Sequence, residues 1–173
     1  MAAGKGRGTG TGKGKGRAVR VGIVYGSPSD EAIALECKKI LEERLGVPCE
    51  ATCLSAHRQP EATADYAKSA RSRGLHVIIA MAGMAAHLPG VVASLTTLPV
   101  LGVPLAGPHI EGMDALLSMA QMPAGVPVGT LAIGKAGSRN AALLAGRILA
   151  LDDPRIAAKL DEIAKFMEAG GRV

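Results

Sequence analysis

Residues 47–60 read Val-Pro-Cys-Glu-Ala-Thr-Cys-Leu-Ser-Ala-His-Arg-Gln-Pro, and this stretch decides the fold. Val47 to Leu54 has the composition of a buried strand, with the ladder itself placed at Cys49 to Leu54. Pro60 suits the first position of a helix, and Glu61 suits its positive end. Ser55, Ala56, His57 and Arg58 therefore occupy a strand-to-helix loop. In an open parallel sheet such loops lie at the carboxyl ends of the strands, where ligands bind. An arginine there suits a phosphate or carboxylate. A histidine there suits proton transfer near neutral pH.

Working outward, the same alternation repeats. Val19 to Tyr25 is a β-rich run closed by Gly26. Ser29 or Asp30 can cap the helix that follows, whose apolar stripe is Ala32, Leu35, Ile40 and Leu41. Gly46 stops that helix and Pro48 blocks its return. Downstream, a helix is expected from about Glu61 to Arg73 and a strand at Val77 to Ala80. A small-residue loop, Met81 to Gly90, then carries His87. Further expectations are a helix at Val91–Leu95, a strand at Pro99–Val103, a helix at Gly112–Gln121 and a strand at Val126–Ile133. Helices at Asn140–Leu151 and Ile156–Met167 complete the chain. The order β-α-β-α-β-α-β-α-β-α-α implies an α/β fold, a doubly wound parallel sheet with right-handed crossovers and helices on both faces. The last helix needs a partner for Ile156, Leu160, Ile163, Phe166 and Met167, either on this domain or on a neighbouring subunit.

Composition bounds the reading. The chain has 173 residues, enough for one domain with its own core. It is 48% apolar but only 2% aromatic, so the core is built from Ala, Val, Ile, Leu and Met. No apolar run of about 18 residues suggests a membrane span, and the start lacks the apolar middle of a signal peptide. The net charge of +5 comes from Lys5, Arg7, Lys13, Lys15 and Arg17; beyond them 15 basic residues balance 15 acidic ones. Residues 1–17 thus read as a disordered, basic, Gly-rich tail on a neutral body, 18–173, with a C-terminal helix. No nucleic acid partner is assigned, weak polyanion contact by the tail being the lesser reading. Cys37, Cys49 and Cys53 lack a CxxC spacing and read as free thiols of a cytoplasmic protein.

Three constellations can carry chemistry. Gly26-Ser27-Pro28-Ser29-Asp30 opens the first helix, where backbone amides and the helix dipole favour an anion. It is neither GxGxxG nor GxxxxGKS, so no dinucleotide or triphosphate is specified; the plain alternative is a capped helix start. Ser55-Ala56-His57-Arg58 is stronger, because two functional side chains share one loop. His87, alone in an apolar loop, suits either a site or a structural role. His76 reads as structural and His109 as surface. Histidines and cysteines show no metal-ligand spacing, so no metal is expected. Glu111 and Asp114 are adequately explained as helix-start residues.

Six segments, in order, resemble one family: GSPSD (26–30), SAHRQP (55–60), AGMAAHLPGVVAS (82–94), PVLGVPL (99–105), QMPAGVPVGTLAIG (121–134) and NAALLAGRIL (140–149). That family is the 5-(carboxyamino)imidazole ribonucleotide mutases of purine biosynthesis. The resemblance covers about residues 18–151. It implies a flavodoxin-like three-layer αβα sandwich and a homo-octamer with sites between subunits, with no metal or organic cofactor. It implies a nucleotide substrate whose carboxyl group moves from an exocyclic amine to ring carbon C4. By the resemblance, Ser27, Ser29 and Asp30 hold phosphate and ribose, and Arg58 clamps the phosphate. Ser55, Ala56, Gly83, Met84, Ala85 and Leu88 line the base pocket. His57 carries the proton, and His87 sits beside the migrating carboxyl. Met84 departs from the glycine many mutases have there, Gln59 from a frequent threonine, and 108–111 from a commoner polar loop. The alternative is the branch that carboxylates aminoimidazole ribonucleotide with free carbon dioxide. That branch usually lacks the histidine at position 87 and often has lysine at 58. A nucleotide-monophosphate binding module without catalysis is the non-enzyme alternative.

Overall fold

The structure, a computed structural model, describes residues 18–173. The expected tail over 1–17 lies outside the described residues. Five parallel strands form one sheet in the order β2-β1-β3-β4-β5. They are β1 (Val21–Tyr25), β2 (Cys49–Cys53), β3 (Val77–Gly83), β4 (Val100–Leu105) and β5 (Gly129–Thr130). The helices are α1 (Glu31–Lys39), α2 (Pro60–Ser69), α3 (Leu88–Ser94), α4 (Met113–Ala120), α5 (Gly134–Ala150) and α6 (Pro154–Glu168). This is the expected doubly wound, flavodoxin-like order, with its reversal between β1 and β3.

The central strand β3 shows why three layers form. Val77, Ile79 and Met81 enter the core beneath α1, α5 and α6, while Ile78, Ala80 and Ala82 enter the core beneath the other helices. A strand covered on both faces is apolar throughout, as this one is. Fully burying each Val or Ile contributes roughly 1.5–3 kcal/mol. Ile156 and Ile163 of α6 are buried in the first core, with Leu160 packed against it, so the last helix folds back on its own domain. Its tip, Phe166 and Met167, stays exposed.

Asp153 ties α6 to the sheet. Its carboxylate accepts the Arg155 backbone N–H at 3.2 Å, and it pairs with Arg155 at 3.0 Å and with Arg20 at 2.9 Å. Arg20 directly precedes β1. The Arg155 guanidinium, then Arg20, holds the Asp153 carboxyl down to about 2.

The differences from the sequence expectations have local causes. The helix after β1 opens with a 3-10 turn (Pro28–Asp30) and widens over Ile40–Arg44, where Leu45 N–H donates to Ile40 O at 3.1 Å. β2 is an edge strand, and only Cys49 of it is fully buried, so the expectation of a wholly buried strand fails. β3 runs three residues further than its apolar core, because Met81, Ala82 and Gly83 pair with Val103, Pro104 and Leu105. α3 starts three residues early, with Pro89 in its first turn. β5 keeps two residues in place of the eight expected. Pro127 has no N–H for the ladder, and pairing is limited to Leu101 with Gly129 and Gly102 with Thr130. α5 begins six residues early, at Gly134. Gly134, Gly137 and Ser138 resemble a loop in sequence, but Gly137 lies tight against the Ala132 backbone.

Candidate active site

The loops after β1, β2, β3 and β4 surround a cleft of about 450 Å³ at the carboxyl edge of the sheet. It lies at the point where the strand order reverses, the usual ligand position in such sheets. Gly26, Ser27, Ser29 and Asp30 come from the first loop and Ser55, Ala56, His57 and Arg58 from the second. The third supplies Gly83, Met84, Ala85 and, at the start of α3, Leu88.

The first loop can serve as an anion cradle. Ser27 and Asp30 occupy helix-start positions, yet neither side chain bonds the helix backbone. The Asp30 carboxylate instead accepts a hydrogen bond from the Ser27 backbone, so it serves the helix start as well as lining the cleft. The Ser29 hydroxyl stands 2.9 Å from Ser27 Oγ and 3.2 Å from Asp30 Oδ1. Burial raises the Asp30 carboxyl above its ordinary value, opposed by the Ser29 and Ser27 hydrogen bonds and by the nearby Arg58 charge. Arg58 Nη2 donates to Gly26 O at 3.0 Å, which holds its guanidinium over this loop.

The second loop is closed on itself. Gln59 N–H donates to Ser55 O at 2.7 Å, and Gln59 Oε1 accepts Ser55 N–H at 3.2 Å. Arg58 N–H donates to Ser55 Oγ at 3.3 Å. The Ser55 hydroxyl thus serves the turn, while the residue lines the cleft. Gln59 O also accepts the Thr63 N–H and Oγ1–H, so the clasp is continuous with α2.

His57 and His87, 30 residues apart, meet edge to face. Nε2 of His57 is 2.8 Å from Nδ1 of His87, and the ring planes stand 88° apart. One ring supplies an N–H and the other a lone pair. Both rings are exposed at the mouth of the cleft. The arrangement sets two imidazoles able to pass a proton beside a loop able to cradle an anion.

Eleven of the twelve expected site residues line the cleft, and the twelfth, His87, reaches it through His57. Exposed His76 and His109 are not among the cleft residues. Sequence reasoning missed two features. One is the wall formed by Leu105, Ala106, Gly107 and Pro108, which carries no polar signal. The other is the Gln59 clasp, for which a glutamine directly before the helix-starting proline was the available clue. Among the described residues, no three His, Cys, Asp or Glu side chains group to hold a metal ion.

Comparison with known proteins agrees with this geometry. The AIR carboxylase family model matches residues 20–169. An N5-carboxyaminoimidazole ribonucleotide mutase of Pyrococcus horikoshii is 55% identical over 148 residues, 86% of this chain and 82% of that protein. The protein of the same name from Bacillus subtilis is 55% identical over 142 residues, 82% of this chain and 87% of its own. The crystal structure of Treponema denticola PurE superposes with a TM-score of 0.75 at 28% identity, covering 87% of this chain and 90% of that one. With the match spanning the whole sheet and every loop of the cleft, the chain belongs to the AIR carboxylase family.

Proposed function

We propose that this protein is an N5-carboxyaminoimidazole ribonucleotide mutase of purine biosynthesis. It moves the carboxyl group of 5-(carboxyamino)imidazole ribonucleotide from the exocyclic nitrogen to C4, giving 4-carboxy-5-aminoimidazole ribonucleotide. The observation that carries the reading is the 2.8 Å His57–His87 contact beside the anion cradle, in a chain 55% identical to proteins of that name.

In this reading Ser27, Ser29 and the loop amides take the phosphate, with Arg58 as its clamp. Asp30 accepts from a ribose hydroxyl. Ser55, Ala56, Gly83, Met84, Ala85 and Leu88 hold the imidazole ring. The carbamate C–N bond breaks, carbon dioxide leaves, and an imidazolium of the dyad returns a proton to the amine. C4 then attacks the retained carbon dioxide, which leaves C4 bearing both a proton and the new carboxylate. His57, now neutral, removes that proton and restores the starting charge. Atoms and electrons balance within the substrate and the dyad. Holding carbon dioxide against C4 supplies a proximity advantage of up to ~7–11 kcal/mol.

The catalytic body is residues 18–173, with 1–17 as an appendage. We place it in the reducing cytoplasm, a reading supported by three free cysteines. A homo-octamer is supported by the resemblance and by the stripe Ile110, Met113 and Leu117, apolar and half exposed along α4 and the loop before it.

The test is product formation from the carboxyamino substrate, and separately from aminoimidazole ribonucleotide plus bicarbonate. Fast conversion of the first alone is expected, lowered about 10²–10⁴-fold in His57→Asn. Near-normal turnover in that variant would remove His57 from the mechanism. Fast conversion of the second at low bicarbonate would make the protein a carboxylase.

A further inference from the structure

The segment from Gly26 to Asp30 joins β1 to α1 and carries the serines and the aspartate of the cleft. One side-chain pair closes the two ends of that loop on each other. Tyr25, the last residue of β1, lies in the core beneath α1 and is 7% exposed. Its hydroxyl donates to Oε1 of Glu31, the first residue of α1, at 3.2 Å. Burial, and then the Glu31 carboxylate, raise this hydroxyl above its ordinary value, so it keeps its proton and remains a donor. Filling the core does not require the hydroxyl. A phenylalanine would occupy the same space with no polar atom to satisfy.

The two ends of the loop are held unequally. Backbone bonds fix the β1 end. Tyr25 O accepts the Leu54 N–H at 2.9 Å, Gly26 N–H donates to Met81 O at 3.1 Å, and Gly26 O accepts Arg58 Nη2 at 3.0 Å. The other end begins with the 3-10 turn Pro28–Asp30, closed by Asp30 N–H on Ser27 O at 2.9 Å. Amides of a first turn have no partner inside the helix. α1 is anchored from Ile33 onward, where the Ser138 hydroxyl donates to Ile33 O at 2.8 Å and Ala34 is buried. Glu31 lies ahead of that anchor, and its bond to Tyr25 ties the far end of the loop to the sheet.

The mutase reading, on which this inference rests, puts the substrate phosphate on Ser27, Ser29 and the loop amides. Such donors bind best when they converge before the ligand arrives, because ordering a loop on binding subtracts from affinity. We propose that Tyr25 and Glu31 are positioning residues for the substrate, whose hydrogen bond holds the 26–30 loop in its phosphate-receiving shape. Neither is among the cleft residues, so neither touches the reacting atoms. The phosphate is bound alike in the ground state and the transition state. Loss of the bond therefore raises KM and spares kcat.

The test is steady-state kinetics of the full chain with the carboxyamino substrate. Tyr25→Phe, which removes one oxygen and keeps the ring, is expected to raise KM about 5- to 10-fold, with kcat within about twofold of the parent. Glu31→Ala, at an exposed position that does not threaten folding, is expected to do the same. Glu31→Gln keeps an acceptor oxygen and is expected to stay near the parental KM. Added to Tyr25→Phe, Glu31→Ala is expected to raise KM no further, because the bond is already gone. An unchanged KM in Tyr25→Phe, or a fall in kcat alone, overturns the positioning role while leaving the mutase reading intact. Additive rises in the double variant overturn it as well. No conversion by the parent overturns the mutase reading, and this inference with it.

Discussion

Replacing Gln59 by alanine removes the side-chain half of the clasp around His57 and Arg58. Gln59 Oε1 accepts Ser55 N–H at 3.2 Å, and Ser55 is 8% exposed, so water does not readily replace the lost acceptor. An unpaired buried N–H costs ~1–3 kcal/mol. A distance at the long end of the ordinary range, roughly 2.7–3.2 Å, places this case near the lower bound. The backbone bond from Gln59 N–H to Ser55 O, 2.7 Å, survives the truncation. The fold should therefore lose about 1 kcal/mol, or roughly 2–4 °C in Tm for a domain of this size. Catalysis is more exposed to the change. His57 and Arg58 lie between the two ends of the clasp, and a misplacement of ~1 Å can cost about 10²-fold. We expect kcat to fall about 10- to 100-fold in Gln59→Ala, with a smaller change in KM. Gln59→Glu keeps an acceptor oxygen and should recover most of the loss. Steady-state kinetics with the carboxyamino substrate, beside thermal melts of the same samples, measure both quantities. A Gln59→Ala enzyme within about twofold of parental kcat would refute the positioning argument. So would a Gln59→Glu enzyme as impaired as the alanine variant.

Three further outcomes follow from the structure. The Asp153 carboxyl is held down to about 2, against roughly 3.9 for a free aspartate. A depressed carboxylate stabilises the fold above the free value and loses that contribution as pH falls toward 2. Thermal melts between pH 6 and pH 2 should show Asp153→Asn less stable than the parent at the upper end, with the gap closing on acidification. A constant gap would contradict the ion-pair argument. The Cys49 thiol is pushed up to about 12 by burial, with the Glu42 carboxylate beside it adding to the rise. Mass-detected alkylation near pH 8 should therefore leave Cys49 untouched in the native protein and label it after denaturation, since the thiolate is the reactive form. Rapid native labelling would show the strand edge to be open. Leu117→Glu on the exposed face of α4 should reduce the assembly size measured by light scattering. An unchanged mass would place the subunit contact elsewhere.

Much of the fold was legible because its signals are local. The double-sided apolar run Val77–Ala80 announced a central parallel strand, and Gly46, Pro48, Pro60 and Gly74 marked turns and helix ends close to where they occur. The short extent of β5 was not legible, because an edge strand beside prolines and glycines is defined by its neighbour's free carbonyls and amides. Leu131 N–H bonding to Gly102 O at 2.9 Å is visible only once β4 is in place. The extra turns of α5 were hidden for a similar reason. Glycine at 137 looks like a loop residue until the Ala132 backbone is seen pressed against it.

The site divides the same way. By itself the sequence determined that GSPSD and SAHR follow the first two strands of a parallel sheet, because strand-to-helix punctuation and residue chemistry are written within a few positions of each other. It also determined the family, through six ordered segments. Only the tertiary structure decided which groups meet. β1 lies between β2 and β3 in the sheet. The His57–His87 contact therefore depends on two loops reaching across the end of β1, a geometry no local pattern encodes. The Arg58 bond to Gly26 O and the closure of the cleft by Leu105–Pro108 have the same origin. Each joins residues far apart in the chain, and the strand order and packing of the whole sheet set the distance between them.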